Sequence, residues 1–103
     1  MILPDCQTLA LQFDRGVLHL TFNRPKARNA MSRQMVEEMQ SVFSVIDGDS
    51  TFRVLVLRGS EGFFCAGGDI KDMAMARGSA QAVTELNRLF GTVITQLDQL
   101  SQT

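Results

Sequence analysis

The chain has 103 residues, of which 45% are hydrophobic and 20% charged, and its formal net charge is −1. This length is enough for one small domain. The balanced charge argues against nucleic acid as a general partner, because binding to phosphate backbones requires a basic surface. No apolar run approaches the length of a membrane span, so no membrane partner is expected.

The N-terminus and the cysteines predict a cellular location. Residues 1–6, MILPDC, lack the basic region and the long apolar stretch of a secretory signal. Cys6 and Cys65 lie far apart, with no metal-binding or redox spacing, which fits a reducing compartment. The sequence therefore predicts a cytoplasmic protein without a metal site.

Two short segments near the N-terminus alternate apolar with polar or small residues, which is typical of strands that are buried on one face. Their apolar positions are Leu9, Leu11 and Phe13, then Leu18, Leu20 and Phe22. Asp14-Arg15-Gly16 lies between them, so the pattern predicts a β-hairpin. Pro25 ends the second strand, and Arg24–Ala30 is predicted to be a loop.

A helix is predicted next, with Ser32 as its N-cap and Gly48 close to its C-terminal end. Its apolar residues recur at helical spacing: Met35, Met39, Val42, Phe43 and Ile46. A short connection, Asp49–Phe52, leads to a strand predicted at Arg53–Leu57.

In the second half of the chain, the residue pattern predicts a glycine-containing loop, a brief helical turn at Asp69–Met75 and a longer helix that starts at Gly78-Ser79. The apolar face of this helix is predicted to comprise Val83, Leu86, Phe90, Val93, Ile94, Leu97 and Leu100. Strands and helices thus mix along the chain without repeats or linkers, and the predicted fold class is α/β.

Ala66-Gly67-Gly68 follows the third strand and precedes the helical turn that begins at Asp69. Two adjacent glycines leave backbone N–H groups uncovered and let a ligand approach closely. A helix that starts there directs its unpaired N–H groups and its positive dipole end at the ligand. The pattern favours an anion or oxyanion site made of backbone; the alternative is a simple strand-to-helix turn.

The predicted loop after the second strand carries Arg24, Lys26 and Arg28 around Pro25. Such a cluster suits a phosphate-bearing ligand, because arginine offers a planar fork and lysine a point charge. The alternative is a solvated basic loop without a ligand.

Other chemically attractive residues have ordinary structural interpretations. His19 lies alone in a strand, and Cys65 lies between Phe64 and Ala66, so a strand histidine and a packed cysteine are expected. Met73 and Met75 fit either an acyl pocket or the core.

Two motifs carry a resemblance to a known family. N-R-P-K-A-R-N-A-M at Asn23–Met31, followed by C-A-G-G-D-I-K after the strand V-L-V-L-R-G, resembles the enoyl-CoA hydratase/isomerase (crotonase) family. The resemblance implies a crotonase-like ββα spiral, incomplete and limited to its opening units. Residues 1–103 would then be the N-terminal part of a single domain in a homo-trimer or hexamer.

The resemblance also implies a set of site residues. The backbone N–H of Gly68 would be one oxyanion donor, and Asp69 would belong to the binding loop and transfer no proton. Ala66 would offer its carbonyl to the adenine amino group. The residues implied to bind the CoA substrate are Lys26, Arg28, Ala66, Gly67, Gly68, Asp69 and Ile70.

The implied function is hydration of the α,β-double bond of an acyl-CoA thioester, without a cofactor because coenzyme A is part of the substrate. The family's second oxyanion donor and its two glutamates have no counterpart among these residues, and neither Glu61 nor Glu85 sits in a matching motif. Isomerisation or other acyl-CoA chemistry of the family remains an alternative. Another is an inactive, truncated acyl-CoA-binding product, for which the Val83–Leu100 helix would expose apolar surface.

Overall fold

The computed structural model describes residues 3–62 and 80–102, except for the side chains of residues 80–87. Its strands and helices are β1 (Leu9–Asp14), β2 (Val17–Phe22), α1 (Arg33–Ile46), β3 (Val54–Gly59) and α2 (Ala80–Asp98). This mixture confirms the predicted α/β class. The turn predicted at Asp69–Met75 and the helix start predicted at Gly78-Ser79 lie outside the described residues.

The described strands form one sheet in the order β1-β2-β3. β1 and β2 are antiparallel, with Leu9 opposite Phe22, Leu11 opposite Leu20 and Phe13 opposite Leu18. The apolar residues of both strands therefore share one face, which confirms the predicted hairpin. β3 pairs in parallel with β2, from Val17 opposite Val54 to Phe22 opposite Gly59.

The predicted ends of α1 are also confirmed. The Ser32 hydroxyl accepts a hydrogen bond from the backbone N–H of Met35 at 3.1 Å, which is the usual contact of an N-cap. The helix ends at Ile46, and Gly48 turns the chain with a φ of +73°, a left-handed conformation that favours glycine.

The core lies between the sheet and the inner face of α1, and α2 packs against α1 and contributes Val93 to the same core. All five apolar α1 residues predicted from their spacing are buried. The fully buried apolar side chains are Leu18, Leu20, Phe22, Met35, Val36, Met39, Val42, Phe43, Ile46 and Val93. The amide of Gln96 joins α2 to α1 by bonds to the Gln40 carbonyl (3.4 Å) and the Ser44 hydroxyl (3.2 Å).

Three sequence predictions are corrected by the structure. Phe13 is 42% exposed, although its ring packs edge-on against Phe52 with centroids 5.0 Å apart, because it lies near the end of β1, at the edge of the described sheet. Ile94 is 54% exposed, because it is one residue, about 100° of helix rotation, away from buried Val93. The strand predicted at Arg53–Leu57 runs from Val54 to Gly59.

Neither of the described helices combines the length and the hydropathy that a bilayer span requires.

Candidate functional site

The basic loop, residues 24–30, has a defined shape at the carboxyl end of β2. A 3-10 turn spans Pro25–Ala27, and the next two residues adopt left-handed conformations, with φ of +53° at Arg28 and +58° at Asn29. The Asn29 N–H donates to the Arg24 carbonyl at 2.8 Å, which closes the loop upon itself. Left-handed residues other than glycine are uncommon, so two in succession mark a constrained segment.

The Asn29 side chain holds this loop in place. It is fully buried, and its Oδ1 accepts from the Arg24 N–H at 2.8 Å and from the Ser60 hydroxyl at 3.2 Å. Its Nδ2 donates to the Ser60 carbonyl at 3.1 Å. Because Ser60 directly follows β3, one amide joins the basic loop to the end of the neighbouring strand.

The three cations of the loop have different surroundings. Arg24 is half-buried, and its Nη1 donates to the Ala30 carbonyl at 2.6 Å, so its guanidinium supports the loop. Lys26 and Arg28 are exposed. The structure thus places two of the three predicted phosphate-binding side chains on the surface of the loop and gives the third a structural contact.

A cavity of about 430 Å³ lies beside the basic loop. One wall is the loop itself, and the other comes from the segment before β1 and from α1. The lining residues are Gln7, Thr8, Asn23, Arg24, Pro25, Lys26, Ala27 and Gln34. Lys26 can therefore place its charge at the rim of a space that admits a small ligand.

Glu38 holds the far wall of this cavity. Its carboxylate accepts from the Gln7 N–H (3.0 Å), the Thr8 N–H (2.9 Å) and the Thr8 hydroxyl (2.6 Å). The Gln34 amide adds a bond at 3.2 Å. Burial by itself raises the pKa of Glu38, but these hydrogen bonds outweigh it and hold the pKa below its usual range.

The wall and the loop are connected through Thr8. The carbonyl of this residue accepts a hydrogen bond from the Asn23 N–H at 2.8 Å, immediately before the basic loop begins. Glu38 is therefore linked through Thr8 to the residue before the loop, and Asn29 links the loop to Ser60.

Beyond Ser60 the chain continues towards the predicted glycine turn. Ser60–Gly62 form a 3-10 turn in which Glu61 and Gly62 have φ of +55° and +82°. Glu61 is exposed. The predicted site residues Ala66, Gly67, Gly68, Asp69 and Ile70 lie outside the described residues, as do Cys65, Met73 and Met75.

Two further titratable side chains of the described residues, His19 and Cys6, have ordinary structural surroundings. His19 is half-buried in the middle of β2, between the other two strands. Burial, together with the charges of Glu38 and Asp5, raises the pKa of the Cys6 thiol and disfavours the reactive thiolate. Within residues 3–62 and 80–102, no group of three or more His, Cys, Asp or Glu is placed to hold a metal ion.

Sequence reasoning missed Asn29 and Glu38. A weak signal existed for Asn29, because asparagine tolerates left-handed backbone better than most residues and this one lies within the basic motif. No local signal existed for Glu38, whose partner Thr8 is 30 residues away in the sequence.

Comparisons with known proteins show what this chain is similar to. A family model described as enoyl-CoA hydratase/isomerase matches residues 12–98. The structure is similar to AtuE of Pseudomonas aeruginosa, with a TM-score of 0.91 and 49% identity over 93% of this chain and 38% of that chain. It is also similar to an enoyl-CoA hydratase/isomerase from Marinobacter aquaeolei, with a TM-score of 0.89 and 48% identity over 94% of this chain and 39% of that chain.

A curated relative, the enoyl-CoA hydratase EchA19 of Mycobacterium tuberculosis, is 44% identical over 63 residues, which are 60% of this chain and 24% of the relative. The matched region thus spans between 24% and 39% of the length of these three proteins.

Proposed function

The chain belongs to the enoyl-CoA hydratase/isomerase family and has the crotonase fold of its structural neighbours, and on that premise we propose that the whole protein hydrates an enoyl-CoA thioester. In this reaction the water oxygen bonds to the β-carbon and a proton is added at the α-carbon. The observation that carries the proposal is the basic loop, which presents exposed Lys26 and Arg28 beside a cavity of about 430 Å³.

The loop's part in the proposal is to hold the phosphates of coenzyme A. Lys26 supplies a point charge and Arg28 a planar fork, and both cations project from a backbone that hydrogen bonds already hold in one conformation. A loop ordered before binding loses less conformational entropy when the ligand arrives. The geometry supports an anion-binding role better than that of a freely solvated loop.

In our proposal, the segment after Ser60 stabilises the charge that forms during the reaction. Addition of water moves negative charge onto the thioester oxygen, and in our proposal the Gly68 N–H stabilises that enolate. Ala66, Gly67, Asp69 and Ile70 would contact the same substrate, with Asp69 in a binding role only. The groups that transfer protons would be supplied by parts of the whole protein outside these residues.

The family model covers both hydratases and isomerases, so isomerisation is the second candidate. An isomerase moves a proton between the α- and γ-carbons and consumes no water. We propose to offer the full-length protein a series of 2-enoyl-CoA and 3-enoyl-CoA thioesters and to follow the conjugated double bond. Loss of conjugation from the 2-enoyl series supports hydration, whereas gain of conjugation from the 3-enoyl series supports isomerisation.

The phosphate-binding role is tested by neutralising the loop. We expect Lys26→Gln combined with Arg28→Gln to weaken CoA binding by about 10- to 100-fold, because each charge-assisted hydrogen bond contributes about 1.5–3 kcal/mol before solvent screening. Isothermal titration with CoA measures the change. Arg15→Gln is the matched control, because this arginine is exposed at the opposite end of β2. Equal affinity in the double variant and the control would remove the loop from the site.

The oxyanion role is tested by a matched pair at one position. Gly68→Pro removes the N–H and is expected to lower kcat by about 100- to 1000-fold, the usual effect of losing one such donor. Gly68→Ala keeps the N–H and is expected to retain turnover. Near-normal turnover in the proline variant would contradict the assignment.

We further propose that the protein needs no cofactor besides its CoA-bearing substrate, works in the cytoplasm and assembles as a homo-trimer or hexamer. Sedimentation of the full-length protein tests the assembly. A monomer at micromolar concentration would contradict it.

A further inference from the structure

We propose that Asn29 is a positioning residue that joins the phosphate-binding loop to the strand end leading into the reactive segment. This inference rests on the proposed function and deepens it. It concerns how the basic loop is fixed to the end of β3 through Ser60.

The Asn29 side chain bonds both the basic loop and the end of β3. The Asn29 amide uses both ends at once: Oδ1 accepts from the Arg24 N–H and the Ser60 hydroxyl, and Nδ2 donates to the Ser60 carbonyl, all between 2.8 and 3.2 Å. The side chain is fully buried, so bulk solvent does not compete for these bonds in the wild-type protein. Arg24 and Ser60 are 36 residues apart in sequence and otherwise belong to separate loops.

Only an amide satisfies both sides of this arrangement. An aspartate of the same shape keeps the acceptor for the Arg24 N–H but presents a second acceptor to the Ser60 carbonyl, which disfavours the contact. A leucine of similar volume removes the hydrogen bonds that the Asn29 amide makes to the Arg24 N–H and to the Ser60 hydroxyl and carbonyl. The left-handed backbone at Asn29 adds to the requirement, because asparagine accepts it more readily than either a leucine or a β-branched residue.

The consequence concerns alignment of the substrate. A thioester held by its phosphates at the basic loop must reach the segment after Ser60 with its carbonyl correctly placed. A displacement of about 1 Å in such a site can lower the rate about 100-fold. Asn29 would therefore affect turnover of bound substrate more than affinity for coenzyme A alone.

The first test is a split between binding and turnover in the full-length protein. We expect Asn29→Asp to change the Kd for CoA less than about threefold and to lower kcat by at least about tenfold, since free CoA has no thioester carbonyl that must be aligned. kcat is expressed per folded molecule, by near-UV circular dichroism. A purely structural residue would lower the melting temperature and leave kcat per folded molecule unchanged, and that result would overturn the proposal.

The second test is independent of turnover. Ser60→Ala removes the hydroxyl donor to Asn29 Oδ1, and we expect amide hydrogen exchange within residues 24–30 to rise severalfold. Ser41→Ala is the matched control, because its exposed hydroxyl bonds only the Glu37 carbonyl of its own helix. Equal exchange in the two variants would overturn the link.

The two tests also separate this proposal from the function it rests on. If the wild-type protein neither binds CoA nor converts enoyl thioesters, the proposed function fails. In that case, the hydrogen-exchange comparison of Ser60→Ala with Ser41→Ala still tests whether Asn29 joins the basic loop to Ser60. If the wild type is active and Asn29→Asp has a normal kcat, the function stands and the positioning role is wrong.

Discussion

Different hydrogen bonds fix the chain segments at the two ends of the parallel pair β2 and β3. At the amino end, Arg15 and Gly16 are left-handed, and the Gly16 carbonyl accepts from the N–H groups of Arg53 (2.8 Å) and Val54 (3.2 Å). At the carboxyl end, Arg28 and Asn29 are also left-handed, but there a buried side chain makes the connections.

The distribution of buried polar groups sharpens this contrast. Among the described residues, the buried polar side chains are Thr8, Asn29 and Ser32, and all three lie at the carboxyl end, in or next to the basic loop and its cavity. Backbone hydrogen bonds contribute at both ends, but the side-chain contact at the amino end, from Arg53 Nη2 to the Arg15 carbonyl at 2.9 Å, is exposed, whereas the Asn29 amide at the carboxyl end is buried. In open α/β sheets, ligands bind beyond the carboxyl ends of the strands, and here the buried polar groups mark that end.

The largest effect is expected from Asn29→Ala. The substitution leaves the Arg24 N–H and both Ser60 groups without the amide, and each unsatisfied buried group costs about 1–3 kcal/mol. We expect the free energy of unfolding to fall by about 2–4 kcal/mol in urea titrations. A loss below about 1 kcal/mol would mean that water or neighbouring groups replace the amide, and the two ends would then not differ as argued.

At the amino end, Gly16→Ala is expected to lower the free energy of unfolding by about 1–2 kcal/mol. The φ of +85° disfavours any side chain, and a Cβ would lie 2.5 Å from the Arg53 Nε, which must move away. Gly91→Ala is the matched control, because this glycine lies within α2 and no atom of the described residues lies within 4 Å of the position that a Cβ would take. There we expect a gain of about 0.5–1 kcal/mol, so thermal unfolding should shift in opposite directions.

The hairpin, the capped helix and the third strand could be predicted because their signals are local. Alternation determines which side of a strand is apolar, and Ser32 marks the start of α1 within one turn. The exposure of Phe13 and Ile94 could not be read locally, because it depends on which neighbouring elements cover them. Periodicity identifies a face of an element but does not say how far along its length that face is covered.

The candidate site was predictable to a smaller extent. Its cations were visible in the sequence, but the separate function of Arg24, which bonds the Ala30 carbonyl, depends on a loop conformation that composition does not reveal. Asn29 and Glu38 act on partners 30 or more residues away, which a single sequence cannot pair. The assignments at Ala66–Ile70 stay predictions.

A smaller effect is expected from Ser32→Ala, which removes the cap that starts α1 directly after the basic loop. N-cap losses of this kind cost about 1 kcal/mol. Ser41→Ala, in the middle of the same helix, should change the free energy of unfolding by less than about 0.5 kcal/mol. If the two variants unfold at the same urea concentration, the cap contributes nothing to holding the carboxyl end.

The smallest effect, and the only one that depends on pH, belongs to Glu38→Gln. Hydrogen bonds from Thr8 and Gln7 favour the charged form and lower the pKa of Glu38 in the folded state. Its contribution is therefore fully present above the unfolded pKa of about 4.3 and is lost as pH falls through the folded pKa. Because the carboxylate is partly exposed, solvent screening limits this contribution to less than about 1 kcal/mol.

We therefore expect Glu38→Gln to unfold at lower urea concentration than the wild type at pH 7, and the gap to close as the pH falls below 4.3 towards the folded pKa. Glu37→Gln is the matched control, because this exposed glutamate lies on the same helix and should show no comparable gap. A gap that persists at the lowest pH would mean that Glu38 acts through shape and not through charge. The start of the basic loop would then resemble the amino end of β2 and β3, where the hydrogen bonds described above involve no carboxylate.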